Sequence, residues 1–278
     1  MLWLLGGFLA LNLATYNYYP AVWRDEVWFA EAAVNLVKYG SFTAMNWQLQ
    51  PHNTFPVVNC PLYPMGLVPW LAVAGTSVLA VRSFNYTLMS AAVFLCWLVS
   101  WRFSLVRSPR LRLVMVVVLH LSYGMSYCYR SCRPDILAMV CLLMLALAFQ
   151  IRRPRLRLAC LAGLAAALVW IGLQAALFAW FAGAVVWLVR RRSLLREMVT
   201  LSLGMAFGAG SLALLLVGKG VLTPFLAHSI SFLGKHYAHT AHPSASGALW
   251  TILHRSVSGY MEDFSMLALT LGLAVLLA

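Results

Sequence analysis

The sequence is a succession of long apolar runs separated by short clusters of arginine, and that alternation leaves few folds open. Windows such as 82–101, 135–150 and 198–217 approach the roughly 20 apolar residues that a helix needs to cross a hydrocarbon core of about 30 Å. Inside lipid, every backbone polar group must be satisfied internally, so runs of this kind are read as helices. Of all residues, 63% are hydrophobic and 10% charged, against about half and about a quarter in a soluble domain. The chain reads as an all-α integral membrane protein, a polytopic helical bundle forming one transmembrane domain over residues 1–278.

The net charge of +13 is distributed in a telling way. Twelve of the twenty Lys and Arg fall in three clusters: Arg102, Arg107, Arg110 and Arg112; Arg152, Arg153, Arg155 and Arg157; and Arg190, Arg191, Arg192 and Arg196. Each cluster lies between apolar runs, the positive-inside pattern of cytoplasmic loops. Such clusters meet anionic headgroups, so membrane lipids are the implied partners and nucleic acid is not.

Taking the clusters as inside markers gives a path of about eight spans. Span 1 (1–19) leads out to a long outer segment, 20–81, and span 2 (82–101) returns. Span 3 (112–129) leads out to "YRSCRPD", and span 4 (135–150) comes back. Residues 158–189 must leave and return; at 1.5 Å per residue they reach about 48 Å, enough for two short helices turning near Gly172 and Gln174. Span 7 (198–217) leads to Lys219 and a late outer loop, 218–263, and span 8 begins near Phe264. The first run lacks a basic start, so it reads as a span and not as a cleavable signal peptide.

This path places six of the seven acids (Asp25, Glu26, Glu31, Asp135, Glu262 and Asp263) on the outer side, with Glu197 alone inside. Acids contribute little to topology, so the bias points to chemistry on the outer face. Three of them fall in "RDEVWFAEAAVNLVKYG" (24–40), directly after span 1. Residues 24–38 read as an amphipathic helix on the membrane surface, with Val27, Ala30, Val34 and Val37 on one stripe and Arg24, Glu31, Asn35 and Lys38 on another. "PLYPMGLVPWLAVAG" (61–75) is apolar but carries Pro61, Pro64 and Pro69. It reads as interfacial or re-entrant backbone, tolerated only beside protein or a water-filled cavity. The 20–81 segment is therefore expected to shield a cavity between spans 1, 2 and 4.

Asp-Glu after span 1, a short amphipathic helix ending "KYG", then "PLYP", an Arg at the next span and "RPD" opening span 4 together resemble one group. They are similar to the membrane-embedded GT-C glycosyltransferases of the protein O-mannosyltransferase and lipid A aminoarabinose transferase branch. The resemblance covers about residues 15–150 by motif and the remainder only by topology. It implies a hexosyl- or pentosyltransferase that moves a sugar from a polyprenyl-phosphate donor to a lipid, glycan or protein acceptor. It also implies a bacterial inner membrane with the active site facing the periplasm. Such enzymes have later spans or a soluble domain beyond the point reached by "MLALTLGLAVLLA", so the resemblance implies a fragment.

Sugar transfer to a hydroxyl needs a carboxylate to take the proton, cations to stabilise the leaving phosphate and exclusion of water. The family motif makes Asp25 the base, with Glu26 and Asp135 as the other catalytic acids. The structural alternatives are a helix N-cap for Asp25, and dipole-favoured first-turn acids for Glu26 and Asp135. Arg133, Arg130, Arg82, Lys235 and His236 are the candidates for the donor phosphate. By default Arg82 would be a snorkelling anchor, and Arg133 would either hold Asp135 or contact phosphate through its planar fork.

The three His of "GKHYAHTAHP" (His236, His239, His242) have no carboxylate or Cys close in sequence, and the six Cys show no metal-ligand spacing. No cofactor or metal is therefore assigned, although divalent-metal use stays open. Asn85-Tyr86-Thr87 matches a glycosylation pattern but lies at or inside a span. A transporter or lipid flippase would also place charges near a cavity, though such folds commonly show internal repeats. A non-catalytic assembly subunit is the third class.

Overall fold

Apolar runs become helices here, but mostly shorter ones than a bilayer demands. The computed structural model describes residues 2–18, 22, 24–45, 55–56, 61–121, 123–190 and 195–227. In chain order the helices are α1 (Leu2–Ala14), α2 (Arg24–Tyr39), α3 (Leu62–Ala74), α4 (Val78–Arg102), α5 (Pro109–Leu121), α6 (Tyr123–Arg130), α7 (Asp135–Ala148), α8 (Pro154–Ile171), α9 (Leu173–Arg190) and α10 (Leu195–Gly218). A short helical stretch follows at 222–227, and no strand occurs among the described residues.

Three helices, α4, α8 and α10, with 25, 18 and 24 residues, are long and apolar enough to cross a membrane. The chain is a helical membrane protein on that ground. The expected eight spans are not reached among the described residues, for identifiable reasons. α1 stops at Ala14, where the Asn12 amide and the Thr15 hydroxyl bond back to the carbonyls of Phe8 and Leu11. Of the run read as span 3, α5 with 13 residues and α6 with 8 residues are described. α7, with 14 residues, rises only about 21 Å.

Helix directions follow from which residues meet. α8 and α10 run parallel: Arg157 pairs with Glu197 at 2.9 Å near their starts, Gly204 abuts Ala162, and Gly208 abuts Ala166. Further along, Trp170 Nε1 donates to the Gly208 carbonyl and to Ser211 Oγ, both at 3.0 Å. α9 runs the other way, with Gly183 against Met198 and Trp180 donating to Ser202 Oγ at 3.1 Å. The expected helical pair over 158–189 is present, and it breaks at Gly172. α1 runs parallel to α5 and α6, since Phe8 lies against His120 with ring centroids 3.7 Å apart and Arg130 reaches Asn12 and Thr15.

In lipid, helices associate chiefly by close packing, which favours small residues at contacts. A Cβ on Gly204 would stand 2.5 Å from the Ala162 carbonyl oxygen, and one on Gly208 would stand 2.8 Å from Ala166 Cα. Backbone meets backbone at both points, so only glycine fits. Leu161, Leu168, Leu201 and Leu216 fill the rest of the α7–α10 core.

The described part of the 20–81 segment packs on the rest of the chain. α2 packs Ala30, Ala33, Val34 and Val37 against Tyr63, Leu67 and Leu71 of α3, which also contacts the start of α4. Val27, expected on the same apolar stripe, is exposed instead. α3 has 13 residues and ends at Gly75, so the stretch 61–80 is no straight membrane span. The expected cavity between spans 1, 2 and 4 is replaced by packing, with Phe8, Leu9, Tyr86, Met89, Val93 and Ile136 occupying that space.

Candidate functional site

An arginine in the second turn of an apolar helix must find a partner or a route to water. Arg82 finds a partner. Its side chain is 1% exposed, with Nε donating to Glu26 Oε1 at 2.7 Å and Nη2 to Oε2 at 2.8 Å. Nη1 donates to the Tyr16 carbonyl. The bidentate fork is the geometry for which guanidinium is suited. The snorkelling expectation for Arg82 is therefore corrected. α2 and α3 cover this end of α4 and supply a carboxylate where a headgroup would otherwise be.

Glu26 has a further donor, the Cys132 thiol, at 3.3 Å from Oε1. Cys132, two residues past the end of α6, is in a left-handed conformation with φ +56°. The Arg133 amide closes the turn onto the Cys128 carbonyl at 3.3 Å, a six-to-one bond of the Schellman type in which glycine usually holds this position. A Cβ in that region costs energy, and the thiol buried on Glu26 is what the Cys gains. Burial, and then the Glu26 charge, push the thiol pKa well above its ordinary value, against the opposing pull of Arg82. It stays protonated, as a donor must.

Beside this pair runs a second buried chain. Tyr63, from "PLYP", donates its hydroxyl to Asn85 Oδ1 at 3.0 Å, and Asn85 Nδ2 donates to the Arg133 carbonyl at 3.0 Å. Burial raises the Tyr63 phenol well above its usual pKa, helped by Cys132, Glu26 and Asp135. Asn85 has both ends of its amide engaged and is fully buried, consistent with a sequon inside a helix. Arg133 Nε pairs with Asp135 Oδ2 at 2.8 Å, and the Asp135 side chain is 51% exposed. Arg133 thus holds Asp135, one of the two roles open for it. Arg130 donates to Asn12 Oδ1 at 3.3 Å and to the Thr15 carbonyl at 2.5 Å, fastening α6 to the end of α1.

Asp25 is the second residue of α2, one position inside the helix, so it is not the N-cap. Its side chain, together with Lys235 and His236, lies outside the described residues, as do His239, His242, Glu262 and Asp263. The expected convergence of Asp25 with Asp135 lies outside them too. Among the described residues no group of three His, Cys, Asp or Glu is placed to hold a metal.

Sequence reasoning passed over Tyr63, Asn85, Cys132, Asn12 and Thr15 as partners. The available signal was charge balance: Arg82 and Arg130 both border apolar helices, and each had to have acceptors nearby. A separate cleft of about 660 Å³ lies at the far end of α2, lined by Leu36, Phe42, Phe55, Met65, Leu215 and Lys219 among others. Leu36 is ten residues from Glu26, about 15 Å along the helix, so this cleft is distinct from the buried pair. Comparison with protein-family models, curated protein sequences and solved structures gives no match to this chain.

Proposed function

We propose that the chain is a GT-C-like membrane glycosyltransferase that uses a polyprenyl-phosphate sugar and works on the periplasmic face of a bacterial inner membrane, along the eight-span path. One observation carries the reading. Four motif segments far apart in sequence, at Glu26, Tyr63, Arg82 and Cys132–Asp135, meet in one hydrogen-bonded cluster. Packing alone gives no reason for the particular pieces that resemble the family to converge.

In this reading Asp25 is the base. It takes the proton of an acceptor hydroxyl as that oxygen bonds to the anomeric carbon, while the bond from that carbon to the phosphate oxygen breaks and polyprenyl phosphate leaves. Glu26, whose two oxygens are engaged by Arg82 and Cys132, is a positioning residue that fixes the start of α2 beside Asp25. Asp135, half exposed and steadied by Arg133, is the second acid on the substrate side. Arg130, Arg133, Lys235 and His236 are the cations available to the donor phosphate. The experiment is a transfer assay with purified full chain and polyprenyl-phosphate sugar, reading release of polyprenyl phosphate. Asp25→Asn is expected to lower turnover by at least about a hundredfold, the scale of one acid–base group, with unchanged melting temperature. Wild-type turnover in that variant would reassign Asp25.

A further inference from the structure

At the opposite end of α4, four arginines cluster, and three of them, Arg102, Arg107 and Arg110, are exposed. Arg112 is not. It is 7% exposed, and its Nε and Nη1 atoms are buried without a hydrogen-bond partner. Its remaining contact is Nη2 to the Arg107 carbonyl at 3.4 Å, at the long limit for such a bond. A buried guanidinium without acceptors is costly, and the described carboxylates bond elsewhere: Glu26 to Arg82, Glu31 to the Met45 amide, Asp135 to Arg133 and Glu197 to Arg157.

The surroundings suit one particular missing partner. The Arg112 guanidinium lies 5.5 Å from the Trp97 ring. Trp97 stacks on Trp101 at 6.0 Å, and Arg102 lies 5.0 Å over Trp101. Ser100, three residues from Trp97 on the same face of α4, is buried with its hydroxyl also unpartnered. Arg112 is the fourth residue of the 13-residue α5, and its own amide is bonded to the Ser108 carbonyl at 3.1 Å, which fixes its place in the first turn. Tryptophans and arginines at the end of an apolar helix mark the depth of lipid headgroups.

We infer that Arg112 anchors a binding site for a phosphate group at the α4–α5 junction, and that the phosphate is that of an anionic phospholipid headgroup. Two phosphate oxygens accept from Nε and Nη2, the edge that forms a bidentate fork, with Nη2 leaving its long contact to the Arg107 carbonyl, while the acyl chains run along the Trp97–Trp101 ladder. Two residues past the end of α4, Ser104 takes a left-handed conformation, φ +53°, and the 103–108 connection is the segment that shifts to admit the headgroup.

The test uses the full chain in phosphatidylglycerol or phosphatidylcholine nanodiscs, with bound lipid counted by native mass spectrometry after transfer to detergent. Wild-type protein is expected to retain one phosphatidylglycerol and to prefer it roughly five- to tenfold over phosphatidylcholine, the order of one basic group at an anionic surface. Arg112→Gln should abolish the preference, and Arg110→Gln, at an exposed position, should keep it. Inorganic phosphate added in phosphatidylcholine supplies the second arm. Failure to displace or mimic the lipid supports the headgroup as ligand, whereas full substitution by the free ion overturns the lipid assignment. Should Arg112→Gln not fold, Arg112→Lys, which keeps charge but loses the fork, is expected to weaken retention. A wild type with no lipid preference, or an Arg112→Gln or Arg112→Lys protein that retains phosphatidylglycerol as wild type does, overturns the site.

Discussion

The Arg82 guanidinium forks onto the Glu26 carboxylate, at 2.7 Å and 2.8 Å, across 56 residues of sequence. Both groups are almost wholly buried, so neither charge has water to fall back on. Removing one partner from such a pair typically costs about 3–5 kcal/mol, because the other charge is stranded. Arg82→Met and Glu26→Gln should each lower the melting temperature substantially. The double variant should lose less than the two losses added together, since it strands no charge. Additive losses in a double-mutant cycle would show that the pair is not coupled.

Cys132 makes a pH-dependent contribution whose sign can be worked out. Its folded pKa lies above the ordinary thiol value of 9.0, so the folded state keeps a proton that the unfolded state releases. The stability from the neutral thiol is complete below that value and is lost as pH rises through the folded pKa. Wild-type stability relative to Cys132→Ser should therefore be flat from neutral pH to about 9 and fall above it, because serine keeps a donor to Glu26 without titrating there. Unfolding curves across that range measure the difference, and a flat difference above the thiol value would sink the assignment.

Close packing of α8 on α10 gives a steric prediction. Gly208→Ala places a methyl group 2.8 Å from Ala166 Cα, against backbone, and should destabilise by about 1–3 kcal/mol, the cost of overpacking. Gly210, on the same helix, has nothing within 4 Å of a Cβ. Gly210→Ala should be neutral or gain up to about 1 kcal/mol from helix propensity. Melting temperatures of the two variants in one detergent decide it, and equal behaviour would overturn the contact.

How much of this was legible in sequence depended on the range of the interaction. Local features came through: the helical break at Gly172 and the first-turn position of Asp135 follow from neighbours a few residues away. The arginine clusters also gave helix directions that Arg157–Glu197 and Trp170–Ser211 agree with. Span length did not come through, because hydropathy does not register the back-bonded end of α1 at Asn12 and Thr15. Arg82 was misread for a different reason. Snorkelling is the right default for an arginine at a bare helix end, and only the fold reveals that α2 and α3 cover it. The bonds of Tyr63, Asn85 and Cys132 were illegible for the same cause, since each joins segments more than twenty residues apart.

Asp135 separates the catalytic reading from the structural one most cleanly. Its pairing with Arg133 is two residues apart and half exposed, and an exposed ion pair of this kind contributes below about 1 kcal/mol. Asp135→Asn therefore should leave the melting temperature nearly unchanged, unlike Glu26→Gln. Asparagine keeps the size and one acceptor oxygen but can no longer carry charge or take a proton. If Asp135 faces the substrate, as its exposure beside Tyr63 and Arg133 suggests, turnover in the transfer assay should fall by tenfold or more while folding stays intact. The pairing itself can be tested with Arg133→Gln, which frees Asp135 without removing it. That variant should weaken donor binding if Arg133 shares the phosphate, raising KM more than it lowers kcat. Wild-type kinetics in both variants would leave the Arg133–Asp135 pair with only its small structural contribution, and would remove Asp135 from the proposed mechanism.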